Sequence, residues 1–322
     1  MEIVDCQNLN KVKYFELKDY IDNIKIDPFV LEHMEETNKE FDTYMKKINI
    51  CEEEDVIHLW LINTAEEIVK SNQIENHFIK KQDILKQNLF FDTLRMSHER
   101  IHELHHFLMQ DNSEITGYRN TPVEISAINK DGTKKIFWYG AEPEDVGNFM
   151  DSFIKIYKSS DMSVINSNPF LKSAIIQLLF LRIHPYSDGN GRTSRILHSI
   201  KLTEAINNIY GKNYRLCPLN ISASVLINQI TYVNILDNIY FDMEHDNSEY
   251  INKWFNFILN MIDEQLFYQG SKLELFSRTY DLYKSDDQKF KDMMLKIIYD
   301  IDALEEINTL DQEKVMKLIK WI

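Results

Sequence analysis

Hydrophobic positions recur along most of the chain at intervals of three and four residues, the spacing that lines one face of a helix. From Glu53 to about Asn88 this rhythm runs through Val56, Leu59, Trp60 and Ile62 to Ala65, Ile68 and Val69. Ser71 then reads as a cap. Its hydroxyl would accept from the first N–H groups of a second helix through Ile74, Phe78 and Ile84, with Glu75 in the opening turns. A further helix is predicted from Ser97 to Gln110, with Ile101, Leu104, His105 and Leu108 on one face.

The pattern changes between Thr121 and Tyr139. Val123, Ile125 and Ala127 alternate with polar residues, Asn129-Lys130-Asp131-Gly132 supplies a turn, and Ile136-Phe137-Trp138-Tyr139 follows, which predicts a β-hairpin. Pro143-Glu144-Asp145 opens a helix to about Ser159, with acids near its positive end. Two helices follow, a strongly apolar one from about Asn168 to Ile183 and one from about Asn190 to Ile209 that uses Ile196, Leu197, Ile200 and Ala205. Helices continue through Ile221–Asp237 and Tyr250–Gln265, and Ser271–Ile322 reads as a few short helices with much surface charge.

Composition agrees with this pattern. A chain of 322 residues, 44% hydrophobic, has enough apolar surface for a large core, and eight Gly and six Pro are too few for sandwiches, propellers or Gly-looped α/β folds. The fold class expected is therefore mostly α with one β-hairpin. A net charge of −15 argues against sequence-independent binding to nucleic acid, which draws on clustered Lys and Arg. Cys6, Cys51 and Cys217 are odd in number and far apart, so neither a disulfide framework nor a cysteine zinc site is indicated. The N-terminus lacks a signal-peptide pattern, and the most apolar stretch, Ala174–Leu181, is far shorter than the roughly 20 residues that span a bilayer. A cytoplasmic protein with no membrane partner is expected.

The chemistry concentrates where one apolar helix ends and the next begins. Gly189-Asn190-Gly191-Arg192 occupies a helix start, where free N–H groups and the helix dipole favour an anion, and glycine lets the backbone come close. Arg192 and Arg195, three apart, can face one anion as charge-assisted donors. Asp188 offers a hard oxygen to Mg²⁺, which typically takes one or two carboxylates beside substrate phosphates. His184 can accept a proton from an attacking hydroxyl near neutral pH. A lone Asp-Gly turn with a histidine helix cap and surface arginines would be the bland reading of the same residues. The arrangement by itself indicates a Mg²⁺–polyphosphate site.

The full string His184-Pro185-Tyr186-Ser187-Asp188-Gly189-Asn190-Gly191-Arg192-Thr193-Ser194-Arg195 resembles the signature of the Fic family at every fixed position. The resemblance implies a Fic-type helical bundle whose hairpin is the flap. It also implies roles for these residues: His184 as general base, Asp188 as Mg²⁺ ligand, the Gly189-Asn190-Gly191 backbone as phosphate cradle, and Arg192 and Arg195 on the triphosphate. The reaction implied is that of a protein adenylyltransferase, a nucleotidyltransferase moving AMP from Mg-ATP to a Ser, Thr or Tyr hydroxyl. Tyr186 stands where Phe is commoner and Ser194 where many members have Gly. Gly191 favours nucleotidyl transfer over the phosphorylation of Doc-type relatives, which carry Lys there. Transfer of UMP, GMP or phosphocholine remains an alternative within the family.

Ser71-Asn72-Gln73-Ile74-Glu75-Asn76 resembles the family's inhibitory motif, placed as in the class with an N-terminal inhibitory helix. The resemblance implies a Glu75–Arg195 ion pair that holds the enzyme nearly off, and the same glutamate supports removal of AMP in some relatives. Gly117-Tyr118-Arg119 is similar to the family's lead-in to the flap. The implied organisation is an N-terminal helical extension at 1–70, a Fic core at 71–262 and a C-terminal helical extension at 263–322. Implied partners are a protein target docked on the 121–139 flap and the chain itself through self-modification. The extensions enlarge the core, bind the target or form a homodimer face, and the sequence does not choose between these. Tyr232 falls near a nucleotide-side aromatic of relatives but reads better as core.

One rival motif is present. His102-Glu103-Leu104-His105-His106 matches HExxH, the helix-borne zinc site of metalloproteases, with His98 on the same face as a third donor. Ile101–Leu108 also resembles the Fic helix that leads into the flap, in which one histidine, here His105, packs inside. Core and surface histidines are the expectation. A Fic fold acting only as a binding module would be marked by loss of His184 or Asp188, and both are present.

Overall fold

The computed structural model describes residues 21–49, 53–81, 84, 96–109, 117–128, 134–159, 165, 168–211, 217–244 and 248–283. Its helices are α1 (Pro28–Ile48), α2 (Glu53–Ile74), α3 (His98–Met109), α4 (Val146–Lys158), α5 (Pro169–Ile183), α6 (Asn190–Tyr210), α7 (Ile221–Ile227), α8 (Gln229–Glu244) and α9 (Glu249–Tyr283). Strands β1 (Glu124–Ile128) and β2 (Lys134–Tyr139) form one antiparallel hairpin between α3 and α4. The expectation of a mostly helical fold with a single hairpin holds among the described residues.

Helix α5 is the centre. Asn168 caps it by accepting from the N–H groups of Phe170 and Leu171, and Pro169 occupies its first turn. Every residue from Phe170 to Ile183 is buried, which is how a helix without a polar face must sit. Helices α6, α4 and α9 cover it, while α2 and α3 lie against α6, and α1 packs on α9. Trp254 of α9 is fully buried, and its Nε1 donates to Ala174 O of α5 at 3.2 Å. Trp254 and Phe257 stack with ring centroids 6.1 Å apart, and Tyr232 joins them from α8. Tyr232 is a core residue, its hydroxyl accepting from Gln177 Nε2 at 3.1 Å.

Several boundaries differ from those the periodicity predicts. Helix α2 runs unbroken past Ser71, which is buried within it, and residues 77–80 are not helical. The cap assigned to Ser71 and the second helix through Phe78 are therefore incorrect, and Phe78 is 83% exposed. The helix expected from Pro143 begins at Val146, after a turn over 143–145. The helix expected over Ile221–Asp237 breaks at Asn228, whose N–H donates to Ser224 O. Residues 271–283 continue α9 instead of forming a short helix. The Asn129–Gly132 turn and residues 284–322 lie outside the described residues. Residues 70 and 71 both belong to α2, and residues 262 and 263 both belong to α9.

Replacing Trp254 with Ala should destabilise the fold by about 3–5 kcal/mol through the cavity left between α5, α8 and α9. Trp254→Phe, which keeps an aromatic ring but drops the bond to Ala174, should lose less. Urea denaturation of both variants checks the order.

Candidate active site

The α5–α6 turn is short because both helices end in left-handed backbone. His184 closes α5 at φ 54°, and Gly189 starts α6 at φ 75°. A side chain at Gly189 would be strained by that φ and would also strike Met109 Sδ, 2.4 Å from an added Cβ. Between them the loop is braced by Asn190, whose Nδ2 donates to Tyr186 O at 2.7 Å while its Oδ1 accepts from Tyr186 N–H at 2.9 Å. The Asn190 side chain thus shapes the loop, leaving its backbone for other work. His105 of α3 supports the loop from outside, donating through Nε2 to Asp188 O at 2.9 Å and stacking on the Tyr186 ring at 3.6 Å.

His184 is partly buried, and burial pushes its imidazole down to about 4, so the ring is neutral at pH 7. Nδ1 lies 3.3 Å from Leu181 O, a contact that assigns the ring proton to Nδ1 and the lone pair to Nε2. The backbone of His184 is held by Arg119, whose Nε donates to His184 O at 2.7 Å.

Glu75 is the last residue before the chain leaves α2. Asn76 adopts φ 59°, while His77 N–H donates to Asn72 O and Asn76 N–H to Gln73 O, both at 3.0 Å. This is a Schellman ending with Asn76 in the left-handed position, and it places Glu75 at the helix terminus. Gln229 Nε2 satisfies one more terminal carbonyl, Ile74 O, at 2.8 Å. A carboxylate at the negative end of its own helix is unfavourable there, so it needs cations elsewhere.

It finds them on α6. Arg195 Nη2 donates to Glu75 Oε1 at 2.7 Å, and Arg192 Nε lies 2.8 Å from Oε2 in an ion pair too poorly aligned to be a hydrogen bond. Arg195 also donates to Ser71 through Nε to Oγ at 2.9 Å and Nη2 to O at 2.7 Å. Burial opposes the charge on Arg195, but Glu75 and Tyr232 outweigh it and raise its pKa. The carboxylate lies directly over Gly191: a Cβ there would be 2.1 Å from Glu75 Oε1. Both arginine side chains are at most 5% exposed. Two buried guanidiniums and the free N–H groups of a helix start thus surround one anion, a donor set that fits phosphate oxygens equally well.

Asp188 is the exposed member, with its side chain 66% accessible. Its Oδ1 accepts from Gly189 N–H at 2.7 Å and its Oδ2 from Arg192 Nη2 at 3.2 Å. An exposed carboxylate beside the anion cradle fits a hard cation that takes its other ligands from phosphates and water. Among the described residues no group of three or more His, Cys, Asp or Glu side chains is placed to hold a metal.

Among the described residues the HExxH segment takes part in no group of three or more metal-ligating side chains. His102 Nδ1 lies 2.7 Å from Tyr186 Oη, and His98 bridges Tyr118 Oη at 2.8 Å and Asp151 Oδ1 at 2.9 Å. His105 packs against the loop, as the core reading expects.

Two residues that brace the site carry no motif of their own in the sequence: Arg119, within the lead-in to the hairpin, and Glu67. Glu67 is fully buried one turn before Ser71, accepting from Ser199 Oγ, Ser222 Oγ and Ser222 N–H at 2.7–2.9 Å, and it ties α2 to α6 and α7. Burial raises its pKa. A carboxylate set between Ala65 and Ile68 on an apolar face was the available signal.

A helical scaffold in which a hairpin adjoins an anion-binding helix start, with a neutral histidine at the preceding helix end, defines the class of protein. Residues 95–202 match the model of the Fic/DOC family. The match supports the resemblance to that family over this segment, and the family supports a Fic-type transferase activity in general. Similar solved structures include a Fic family protein from Desulfovibrio desulfuricans G20, with TM-score 0.53 and 18% identity over 77% of this chain and 76% of that one. Another is a Fic domain containing signaling protein from Bacteroides thetaiotaomicron VPI-5482, with TM-score 0.51 and 19% identity over 76% of this chain and 95% of that one. At those identities the likeness is one of fold. No described helix is long and apolar enough to cross a membrane.

His184 and the fully buried His198, pushed down to about 3 by burial, both titrate below an ordinary histidine near 6.5. The folded state then binds fewer protons than the unfolded chain, so these groups lend stability above about pH 6.5 that is lost as pH falls toward 4. The ring Cε1 protons of both histidines should show no titration by NMR between pH 7 and pH 5. The urea midpoint should be lower at pH 5 than at pH 7.

Proposed function

We propose that this chain is a protein adenylyltransferase that moves AMP from ATP to a protein hydroxyl and is held back by Glu75. One observation carries the reading: the Glu75 carboxylate sits among Gly191, Arg192 and Arg195, where a helix start and two guanidiniums would otherwise take phosphate. An internal anion in a phosphate cradle competes with substrate, which is what an inhibitory residue has to do.

The residues divide the work. Arg192, Arg195 and the Gly189–Gly191 backbone bind and orient the triphosphate, and Asp188 would hold Mg²⁺. Magnesium supplies charge neutralisation across the phosphates when bound. The hydroxyl oxygen forms a bond to the α-phosphorus as the bond to the β-phosphate oxygen breaks, pyrophosphate leaves, and the hydroxyl proton passes to His184 Nε2. The resting base is weak, with its pKa near 4, but anionic phosphates close to the ring would raise it toward the working range. Most of the rate then comes from positioning and charge stabilisation.

The hairpin offers backbone edges for an extended target segment, a mode of docking that leaves side-chain demands loose. A protein target on residues 121–139, self-modification, removal of AMP through the same Glu75, and a homodimer built from the flanking helices belong to the same proposal. A site in the cytoplasm, where ATP and Mg²⁺ are plentiful, fits it.

With Mg²⁺ and α-³²P-ATP, Glu75→Gly should incorporate at least about tenfold more label into protein than the parent, since about 1.4 kcal/mol of lost competition already gives that factor. The added His184→Ala change should abolish it. Label from γ-³²P-ATP instead, or incorporation unchanged by Glu75→Gly, would overturn the reading.

A further inference from the structure

Arg119 spends its whole side chain on backbone oxygens. Besides the bond from Nε to His184 O, Nη1 donates to Thr121 O at 2.8 Å, and Nη2 donates to Ala141 O and, at 3.4 Å, to Ile183 O. The residue is 6% exposed. Its own N–H donates to Pro185 O at 2.9 Å, and Ala141 N–H donates to Ile183 O at 3.2 Å. Three stretches of chain meet here: the entry to β1, the exit from β2 and the end of α5.

A second observation marks the same point. Gly140 has no room for a side chain, because an added Cβ would lie 2.7 Å from Arg119 Nη2, 2.8 Å from Val123 Cγ2 and 3.1 Å from His184 Cβ. The hairpin stem is thus pressed against the Arg119 fork and His184 together. The bulge between Ile125 and Ser126 lies farther out, so the stem pairs Glu124 with Tyr139 and Ile125 with Trp138 before the register shifts.

The physical need is plain. The last carbonyls of α5 have no partner within their helix, and they carry the negative end of its dipole. His184 adopts left-handed backbone, which is strained for an L-residue and has to be held in place. A planar guanidinium with five donors can satisfy carbonyls from several directions at once, whereas a lysine ammonium presents three donors from one atom.

We propose that Arg119 is a positioning residue for transfer: its fork locks the hairpin stem to the Ile183 and His184 carbonyls, so that a protein segment laid along the hairpin is held in register with the His184 ring. The side-chain bonds of Arg119 all go to backbone oxygens of the hairpin stem and the end of α5. The inference rests on the proposed roles of the hairpin and of His184, and its test is arranged so that the two fail separately.

The full-length chain carrying Glu75→Gly is the parent, compared with the same chain plus Arg119→Lys or Arg119→Gln. Hydrogen exchange should speed up together at residues 120–123, 139–142 and 183–186 in both variants, more in Gln than in Lys, with no change in α9. ATP affinity, measured by calorimetry with Mg²⁺, should stay within about twofold because the Arg192–Arg195 cradle is separate. Self-modification at saturating ATP should fall about tenfold in Lys and about a hundredfold in Gln, the loss that a misplacement of about 1 Å brings.

Unchanged exchange at 183–186, or exchange that rises at the hairpin alone, overturns the lock. A loss of transfer accompanied by an equal loss of ATP affinity, or full activity in Arg119→Lys, overturns the positioning role. If the Glu75→Gly parent transfers no nucleotide, the proposed function fails, and the exchange measurement still decides whether Arg119 joins hairpin to histidine.

Discussion

Two helix ends of opposite polarity meet within the six residues from His184 to Gly189, and the rest of the site answers to that constraint. The end of α5 presents unpaired carbonyls, and the start of α6 presents unpaired N–H groups. Arg119 goes to the carbonyl side and Glu75 to the N–H side. Each charge faces the helix end of this turn whose dipole favours it, although Glu75 also stands at the negative end of α2. The loop between is stiffened by Asn190 within and by His105 and Tyr186 from beneath, so the polarity is presented in fixed geometry. Binding chemistry of this kind belongs to the backbone first, and the side chains sharpen it.

What could be read from the sequence followed the strength of local signals. Helix α5 announced itself because its apolar run is capped by Asn168-Pro169 and stops at a histidine followed by proline. The hairpin showed through its alternation. The motif loop was legible in full, since glycines are scarce in this chain and those at 189 and 191 stand where no side chain fits. The pairing of Arg195 with Glu75 was reached through family resemblance and appears at 2.7 Å, whereas the equal share taken by Arg192 was not anticipated.

The misreadings have one cause: polar residues were judged by what they do in isolation. Ser71 has the chemistry of a cap, but it is buried inside α2 as an acceptor for Arg195, a contact 124 residues away in sequence. Asn76 carried the true end signal, since asparagine tolerates left-handed backbone, and reading it as the stop would have moved Glu75 to the helix terminus. Arg119 and Glu67 were silent because their partners are backbone carbonyls and serines drawn from distant segments, which leave no periodic trace. The length of α9 was missed because the density of charged residues in the sequence beyond Ser271 resembles that of separate short helices.

The terminal place of Glu75 bears on how quickly its grip can change. In mid-helix a carboxylate could draw its backbone away from the arginines only with the packed helix around it, where Trp60, Ile68 and Glu67 are buried. At the last residue, unwinding a single turn around Asn76 suffices while Ser71 and Glu67 keep α2 docked on α6. Motions of that size belong to the fraying of helix ends, among the cheapest openings a folded protein makes. Backbone motion at Glu75 is therefore a matter of one turn and leaves the packed body of α2 in place.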